Sequence, residues 1–232
     1  EIQNRDPRLR NEIDNRFLPN YLNGTSPISN YLTNVNGTTP TGFMSSKFRS
    51  PVPAQNEANQ TTYDMYVFRY AEVLLIYGEA KAELGSITQG DLDISINQLR
   101  ARLDEADLPG GKMGRLTLNP PADPNATING KPRYGYQVTP LIYEIRRERR
   151  VELAFENHRW WDYRRWRIAD KVLNNPRLTA LRGYFDVQEN AYRFETGVAG
   201  RWPKTFDPKV YYERIDPAEI AKNPKLVQNP GY

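Results

Sequence analysis

Glu144, Glu148, Glu152 and Glu156 recur at every fourth position, a spacing that stacks four carboxylates in a row along a helix. Inward-facing Glu rows hold di-iron centres in helix bundles when paired with Glu-x-x-His steps. Here the position three before the single histidine, His158, is Phe155, and Arg147, Arg149 and Arg150 stand among the carboxylates. The row therefore reads as an ion-pair ladder, with no metal. With no cysteine and one histidine, thiolate zinc sites, cysteine nucleophiles and HExxH sites are excluded. His158 lies in a dense Arg and Trp cluster and reads as a packing side chain rather than a triad base. Asp123, Asn125, Thr127 and Asn129 alternate like the first ligands of a calcium loop, but Ile128 stands where the sharp turn needs Gly and Tyr134 where a bidentate Glu belongs. Gly110-Gly-Lys-Met-Gly114 fits neither the phosphate-loop nor the dinucleotide pattern. The 28 acidic residues leave a glycosidase carboxylate pair unrefuted but unsupported. No catalytic residue and no cofactor is assigned.

The aromatic content, 15 Tyr, 8 Phe and 4 Trp, is the positive feature, because flat rings with polar handles stack against sugars or bases. Tyr70, Tyr77, Trp160, Trp161 and Trp166 fall in helical text and read as core, whereas Tyr21, Tyr31, Phe43, Tyr134 and Tyr136 in polar loops divide evenly between core and ligand platform. The net charge of +4 comes mostly from eight Arg set against five acids between Glu144 and Arg167. Glu interleaved nearly every turn points to side chains that pair with one another, so nucleic acid is not expected.

These residues need elements to hold them. The chain has 232 residues, only 38% apolar, with 18 Pro and 15 Gly, which predicts a lean core and long connections. No window supplies the roughly 18–20 apolar residues of a membrane helix, so the chain reads as soluble. Residues 1–62 are loop text without periodicity. Phe68–Leu84 reads as a helix capped by Gly85 and apolar round most of its circumference, hence buried on more than one side. A second helix follows Gly90 on the stripe Leu92, Ile96, Leu99, Leu103 and Ala106, completing an antiparallel pair over 63–108. Residues 109–138 are loop with a turn at Asn129-Gly130. Thr139 and Pro140 start a helix running to about Glu156 and stopped by Asn157. A shorter helical stretch from His158 ends at Asn174, closing an Arg- and Trp-rich segment at 139–173. The tail, 177–232, promises only short strands and turns, and no domain boundary or repeat is visible.

Three passages make the text familiar: Arg69-Tyr-Ala-Glu-Val-Leu-Leu-Ile-Tyr-Gly-Glu-Ala, then Arg146-Arg-Glu-Arg-Arg-Val-Glu-Leu-Ala-Phe-Glu-Asn-His-Arg-Trp-Trp-Asp-Tyr-Arg-Arg-Trp166, and Asn223-Pro-Lys-Leu-Val-Gln-Asn-Pro-Gly-Tyr232. Together with Asp6-Pro-Arg-Leu and the Gly42…Lys47-Phe48 segment, they resemble the C-terminal half of the SusD/RagB family over essentially the whole chain. One departure is Asn157, where the family often has Gly after Phe-Glu.

The resemblance implies a mainly α fold of TPR-like helix pairs with long irregular loops and a few short strands. It implies a Bacteroidetes outer-membrane, cell-surface lipoprotein that binds glycan without catalysis and delivers it to a SusC-like TonB-dependent transporter. The lipidated cysteine, signal peptide and N-terminal helical half are absent from the sequence, which reads as a fragment whose membrane attachment lay in the missing part. The resemblance also makes Arg69, Glu72, Glu152, Arg159, Trp161, Asp162, Arg165 and Trp166 scaffold residues, held by ion pairs and packing. Ligand residues do not transfer by motif; position alone selects Tyr21, Tyr31 and Phe43 as platforms with Asn20 and Asn34 as hydrogen-bonding neighbours. The alternatives are a peptide- or protein-binding helical-repeat scaffold and a glycoside hydrolase.

Overall fold

The computed structural model describes residues 6, 8, 12, 45, 47, 48, 50, 53–56, 59–62, 64, 67–103, 114–174, 182–186, 191–195 and 206–232, with backbone alone at 53, 56, 182–186 and 191–195. The chain forms two compact units, one of residues 1–158 and 182–194, the other of residues 159–181 and 195–232. Its described part is mainly helical with a few short strands.

In the first unit, helix α1 (Tyr70–Glu83) ends in a Schellman turn: Gly85 takes φ +68°, its N–H reaches the Ala82 carbonyl at 3.0 Å, and the Ser86 N–H reaches that of Lys81 at 3.1 Å. Only one side of α1 is buried, that of Ala71, Leu74, Leu75, Gly78 and Glu79, whereas Tyr70, Val73, Ile76, Tyr77 and Ala80 are exposed. Apolar residues on every side give periodicity no means of choosing a face; packing against the later helix α4 makes the choice.

The expected second helix is two, α2 (Gln89–Asp93) and α3 (Ile96–Ala101). Thr88 opens α2 with a capping box, its hydroxyl accepting from the Asp91 N–H at 3.1 Å while Asp91 Oδ2 accepts from the Thr88 N–H at 2.8 Å. Ser95 breaks the run: its hydroxyl donates to the Asp91 carbonyl at 2.5 Å and its backbone leaves the helical region. The apolar stripe survives the break, with Leu92, Ile96 and Leu99 buried; Leu103 is only partly so, and Ala106 lies outside the described residues.

Asn97 then clasps the following loop with both ends of its amide, Nδ2 donating to the Leu116 carbonyl at 3.1 Å and Oδ1 accepting from the Leu116 N–H at 2.7 Å. The Asn129-Gly130 corner, both residues at positive φ, joins strands β1 (Thr127–Ile128) and β2 (Lys131–Pro132) in antiparallel register, Thr127 opposite Pro132 and Ile128 opposite Lys131.

Helix α4 (Pro140–Glu152) starts as predicted, Thr139 Oγ1 accepting from the Ile142 N–H, but stops four residues short of Glu156. Lys47 Nζ donates to the carbonyls of Glu152 and Ala154, and Arg69 Nη2 to that of Glu152, so side chains satisfy groups another turn would have used. Phe155 takes a left-handed conformation ahead of Asn157, which does so too. The core of this unit joins Leu74, Leu75, Leu92, Ile96, Leu99, Leu116, Ile145 and Leu153.

The second unit holds α5 (Arg159–Arg165) and α6 (Ala169–Leu173), separated by Arg167 at φ 51°. Its small core is Ala169, Phe206 and Tyr211, with Tyr163 and Leu173 packed against them. Helix α7 (Pro217–Lys222) lies in the tail where only strands and turns were expected; Asp216 at its N-cap and Pro217 at its first position carried the signal. Two further amide clasps tie this unit, Asn174 on both backbone groups of Phe206 and Gln228 on both of Ile215. In the first unit, but for the last residue, the strands β3 (Arg182–Asp186) and β4 (Ala191–Glu195) pair in a second two-stranded sheet.

Candidate functional site

The carboxylate row of α4 sits in a lattice of cations drawn from four other segments of the chain and from α4 itself. Glu148 accepts from Arg8 Nη1 at 2.6 Å and Arg100 Nε at 3.0 Å. Glu152 takes Arg8 at 3.0 Å, Arg69 at 2.7 Å and Arg102 at 2.6 Å. Glu156, beyond the helix end, takes Lys47 at 2.6 Å and a forked Arg69 at 2.7 and 2.8 Å. Glu144 pairs with Arg147 at 2.7 Å and Arg100 at 3.3 Å. Burial alone would raise the Glu152 carboxyl, but the Arg69 hydrogen bond, the charge of Arg102 and the Arg8 hydrogen bond outweigh it and hold it below its ordinary value. Burial likewise opposes, and Arg69 and Lys47 override, at Glu156. A general base must offer a lone pair with a pKa near the working pH. Carboxylates held low by two or three cations each are suited instead to fixing helices to loops.

Glu72 is within 3.4 Å of both Arg149 Nη2 and His158 Nδ1. In the second unit Arg165 pairs with Asp162 at 3.1 Å, and the guanidinium groups of Arg165 and Arg159 lie 4.8 and 5.4 Å from the ring centre of Trp166, which is buried. Trp161 is different: it is 56% exposed, with the Arg164 guanidinium 5.4 Å from its ring centre. The reading of helical aromatics as core holds for Trp166 and fails for Tyr70, Tyr77, Trp160 and Trp161, whose helices are short or covered on one side only.

A cleft of about 410 Å³ opens among the β1–β2 hairpin, the loop after it and the first turn of α4, with Asp123, Arg133, Tyr134, Tyr136, Gln137 and Tyr143 contributing its rings and polar groups. Tyr134 lies at the centre of the rings, 5.7 Å from Tyr143 and 6.3 Å from Tyr136. The Arg146 guanidinium is 5.4 Å from the Tyr134 ring centre and donates to the Tyr136 hydroxyl at 2.9 Å. Tyr143 is only 2% exposed and its hydroxyl has no hydrogen-bond partner among the described residues. Burial raises its pKa, against the pull of Arg133. Asp123 Oδ1 accepts from the backbone and side-chain N–H groups of Asn125 at 2.7 and 3.0 Å, capping the turn that begins the calcium-like stretch. Arg133 reaches the Asn125 carbonyl at 3.5 Å. A neighbouring cleft of about 550 Å³ includes Arg100, Arg115 and Arg147, each already bonded to a carboxylate.

The five loop residues chosen as ligand contacts, Tyr21, Tyr31, Phe43, Asn20 and Asn34, lie outside the described residues. Sequence reasoning did not single out Arg8, Lys47 or Arg100 for the lattice. Arg100 directly follows the buried stripe residue Leu99, and a cation so placed needs a buried partner. Tyr143 was not singled out, although Tyr134, Tyr136 and Asp123 had each been noted nearby.

Comparison with known proteins gives a consistent answer. The chain is 31% identical over 137 residues to "SusD-like protein P2" of Formosa agariphila, covering 56% of this chain and 24% of that protein. The solved structure of BT4246 superposes with a TM-score of 0.56 at 29% identity, over 84% of this chain and 29% of the other. A SusD-like protein (BF3747) from Bacteroides fragilis NCTC 9343 superposes with a TM-score of 0.60 at 22% identity, over 98% of this chain and 39% of its own, and shares the helical, TPR-like fold. The chain thus spans between about a quarter and two fifths of the length of these relatives. The SusD family model matches residues 1–232 from end to end, and the chain belongs to the SusD family.

Proposed function

We propose that this chain is part of a cell-surface glycan-binding lipoprotein of the outer membrane, which captures a polysaccharide without cleaving it and passes it to a SusC-like TonB-dependent transporter. The observation that carries the reading is the family match along all 232 residues. The site chemistry is in keeping with it: the buried carboxylates of α4 are neutralised by Arg and Lys, the arrangement of a scaffold that supports binding loops. Attachment through an N-terminal lipid anchor is what family membership supports, and no helix among the described residues is long and apolar enough to cross a membrane. Within the loop-rich segment 1–62, Tyr21, Tyr31 and Phe43 are the stacking platforms and Asn20 and Asn34 the hydrogen-bonding neighbours.

Native affinity gels cast with plant and host polysaccharides test the proposal. One glycan should retard the chain without being degraded, and Tyr21→Ala or Tyr31→Ala should weaken that retardation while the circular dichroism spectrum stays the same. Release of reducing sugar, or retardation equal in parent and both variants, overturns the non-catalytic reading or the site assignment respectively.

A further inference from the structure

We propose that the second unit docks an acidic segment of another protein on a surface where arginines lie against rings. Residues 159–181 and 195–232 hold 12 of the chain's 32 Arg and Lys but only 7 of its 28 acids, so this unit carries +5 and the rest of the chain −1. Its arginines are also used differently. In the first unit Arg8, Arg69, Arg100 and Arg146 each hold a carboxylate. In the second, the exposed Arg167 guanidinium lies 4.8 and 5.7 Å from the ring centres of Tyr211 and Tyr212 and donates to the Tyr212 hydroxyl at 2.9 Å, with no carboxylate partner among the described residues. Arg214, also exposed, has no partner of any kind among the described residues. Arg164 lies against Trp161 and donates to the Tyr211 carbonyl at 2.9 Å; its one carboxylate, Glu213 at 3.3 Å, is largely exposed, a pair worth little. These contacts form one connected surface, because Tyr232 joins it by donating to the Tyr212 carbonyl at 3.1 Å. Trp161, Tyr212 and Tyr232 all leave their rings open to solvent.

Trp, Tyr and Arg supply most of the energy at protein interfaces, and a guanidinium already stacked on a ring has less freedom to lose on binding. The partner that Arg167 and Arg214 lack is a carboxylate, which the guanidinium fork receives with two parallel hydrogen bonds. The surface is not uniformly positive, since Asp207, Glu213 and Asp216 stand among the cations. A nucleic acid or an anionic bilayer presents negative charge everywhere and so meets those acids as well as the arginines. A polypeptide sets Asp and Glu opposite the unpaired guanidinium groups and apolar or aromatic side chains on Trp161 and Tyr212, leaving Glu213 unopposed by like charge.

Fluorescence anisotropy on this chain tests the assignment, with fluorescein-labelled peptides repeating Glu-Asp-Tyr or the neutral Gln-Asn-Tyr, with labelled oligo(dT), and with phosphatidylglycerol vesicles as competitor. The acidic repeat should bind, more weakly as salt is raised, and the neutral repeat should not. Arg167→Gln, Arg214→Gln and Trp161→Ala should each weaken the acidic peptide about fivefold or more. Because Arg214 makes no contact among the described residues, the Tm of Arg214→Gln should equal the parent's, which separates lost binding from lost folding. Arg102→Gln, which removes an exposed but carboxylate-paired arginine of the first unit, should leave binding unchanged. No binding of the acidic repeat, equal binding of the neutral one, tighter binding of oligo(dT), displacement of the peptide by vesicles, or a loss in Arg102→Gln as large as in Arg214→Gln overturns the assignment. The probes contain no sugar, so failure here leaves the polysaccharide gel result standing.

Discussion

Replacing Glu148 by Gln asks how much the α4 lattice contributes to stability. Glu148 is 1% exposed and accepts one hydrogen bond each from Arg8 and Arg100. The substitution keeps the side chain's shape, removes one negative charge from between two buried cations, and turns an N–H donor toward one of them. Removing one partner of a buried pair costs about 3–5 kcal/mol. Arg8 retains Asp6 and Glu152, and Arg100 retains Glu144 and the Gly114 carbonyl, so the lower end applies, about 3 kcal/mol. For a chain of this length that corresponds to a fall in Tm of about 6–12 °C. Arg102 also pairs with the row but is largely exposed, and Arg102→Ala should cost less than about 1 kcal/mol. Urea unfolding followed by far-UV circular dichroism at neutral pH measures both. A loss below about 1 kcal/mol for Glu148→Gln, or one no larger than that of Arg102→Ala, refutes the view that the buried lattice is a structural keystone.

Acid should unfold the chain through the same groups. Glu152, Glu156 and Asp6 titrate below their ordinary values, so the unfolded state binds more protons on acidification; their stabilisation is complete above about pH 5 and is lost as pH falls through 4.5 and below. Glu12, raised by burial, opposes them singly, and a urea midpoint that climbs on acidification contradicts the assignment. Gly90→Ala should stabilise α2 by about 0.5–1 kcal/mol, since the nearest atom to its new Cβ is Thr88 Oγ1 at 3.7 Å. Gly78→Ala should show no such gain, because its Cβ would lie 3.1 Å from two Ile96 carbons; equal rises in Tm for the two variants would disprove the close approach of α1 to α3. Asn97→Asp replaces the donor of its clasp by a carboxylate facing the Leu116 carbonyl and should cost about 2–3 kcal/mol at neutral pH by the same urea assay, an unchanged midpoint being the contrary result.

What the sequence revealed was what local chemistry decides. Gly85, Thr139, Pro140 and Asn129-Gly130 act through backbone geometry within a few residues, and the structure has α1, α4 and the β1–β2 turn where those residues put them. The break at Ser95 was hidden because the stripe Leu92, Ile96 and Leu99 keeps its phase across it, so burial alone reads as one helix. The end of α4 was misplaced for the opposite reason: it is set by Lys47 and Arg69, far away in the chain, and only the folded structure brings them to the Glu152 carbonyl. The cleft was illegible for a third reason. Tyr134 and Tyr136 were visible as loop rings, but Tyr143 joins them only through the fold, which sets helix α4 under the hairpin loop, and that placement leaves no mark on a sequence.

The three amide clasps turn loop length into a free variable. Asn97 to Leu116, Asn174 to Phe206 and Gln228 to Ile215 span 19, 32 and 13 positions, and each uses a donor and an acceptor from one planar group. A planar fork meets a backbone N–H and C=O at one residue only, so at Asn97 and Asn174 it indexes the far end of the connection to its helix as a ladder rung indexes a strand, and at Gln228 it closes the segment that carries α7. Closing a longer loop adds only about 0.6 kcal/mol for each doubling of its length. Residues can therefore be inserted between clasp and partner at small thermodynamic cost while both anchor points keep their register, which lets the connecting segments change shape without the helices being laid out again.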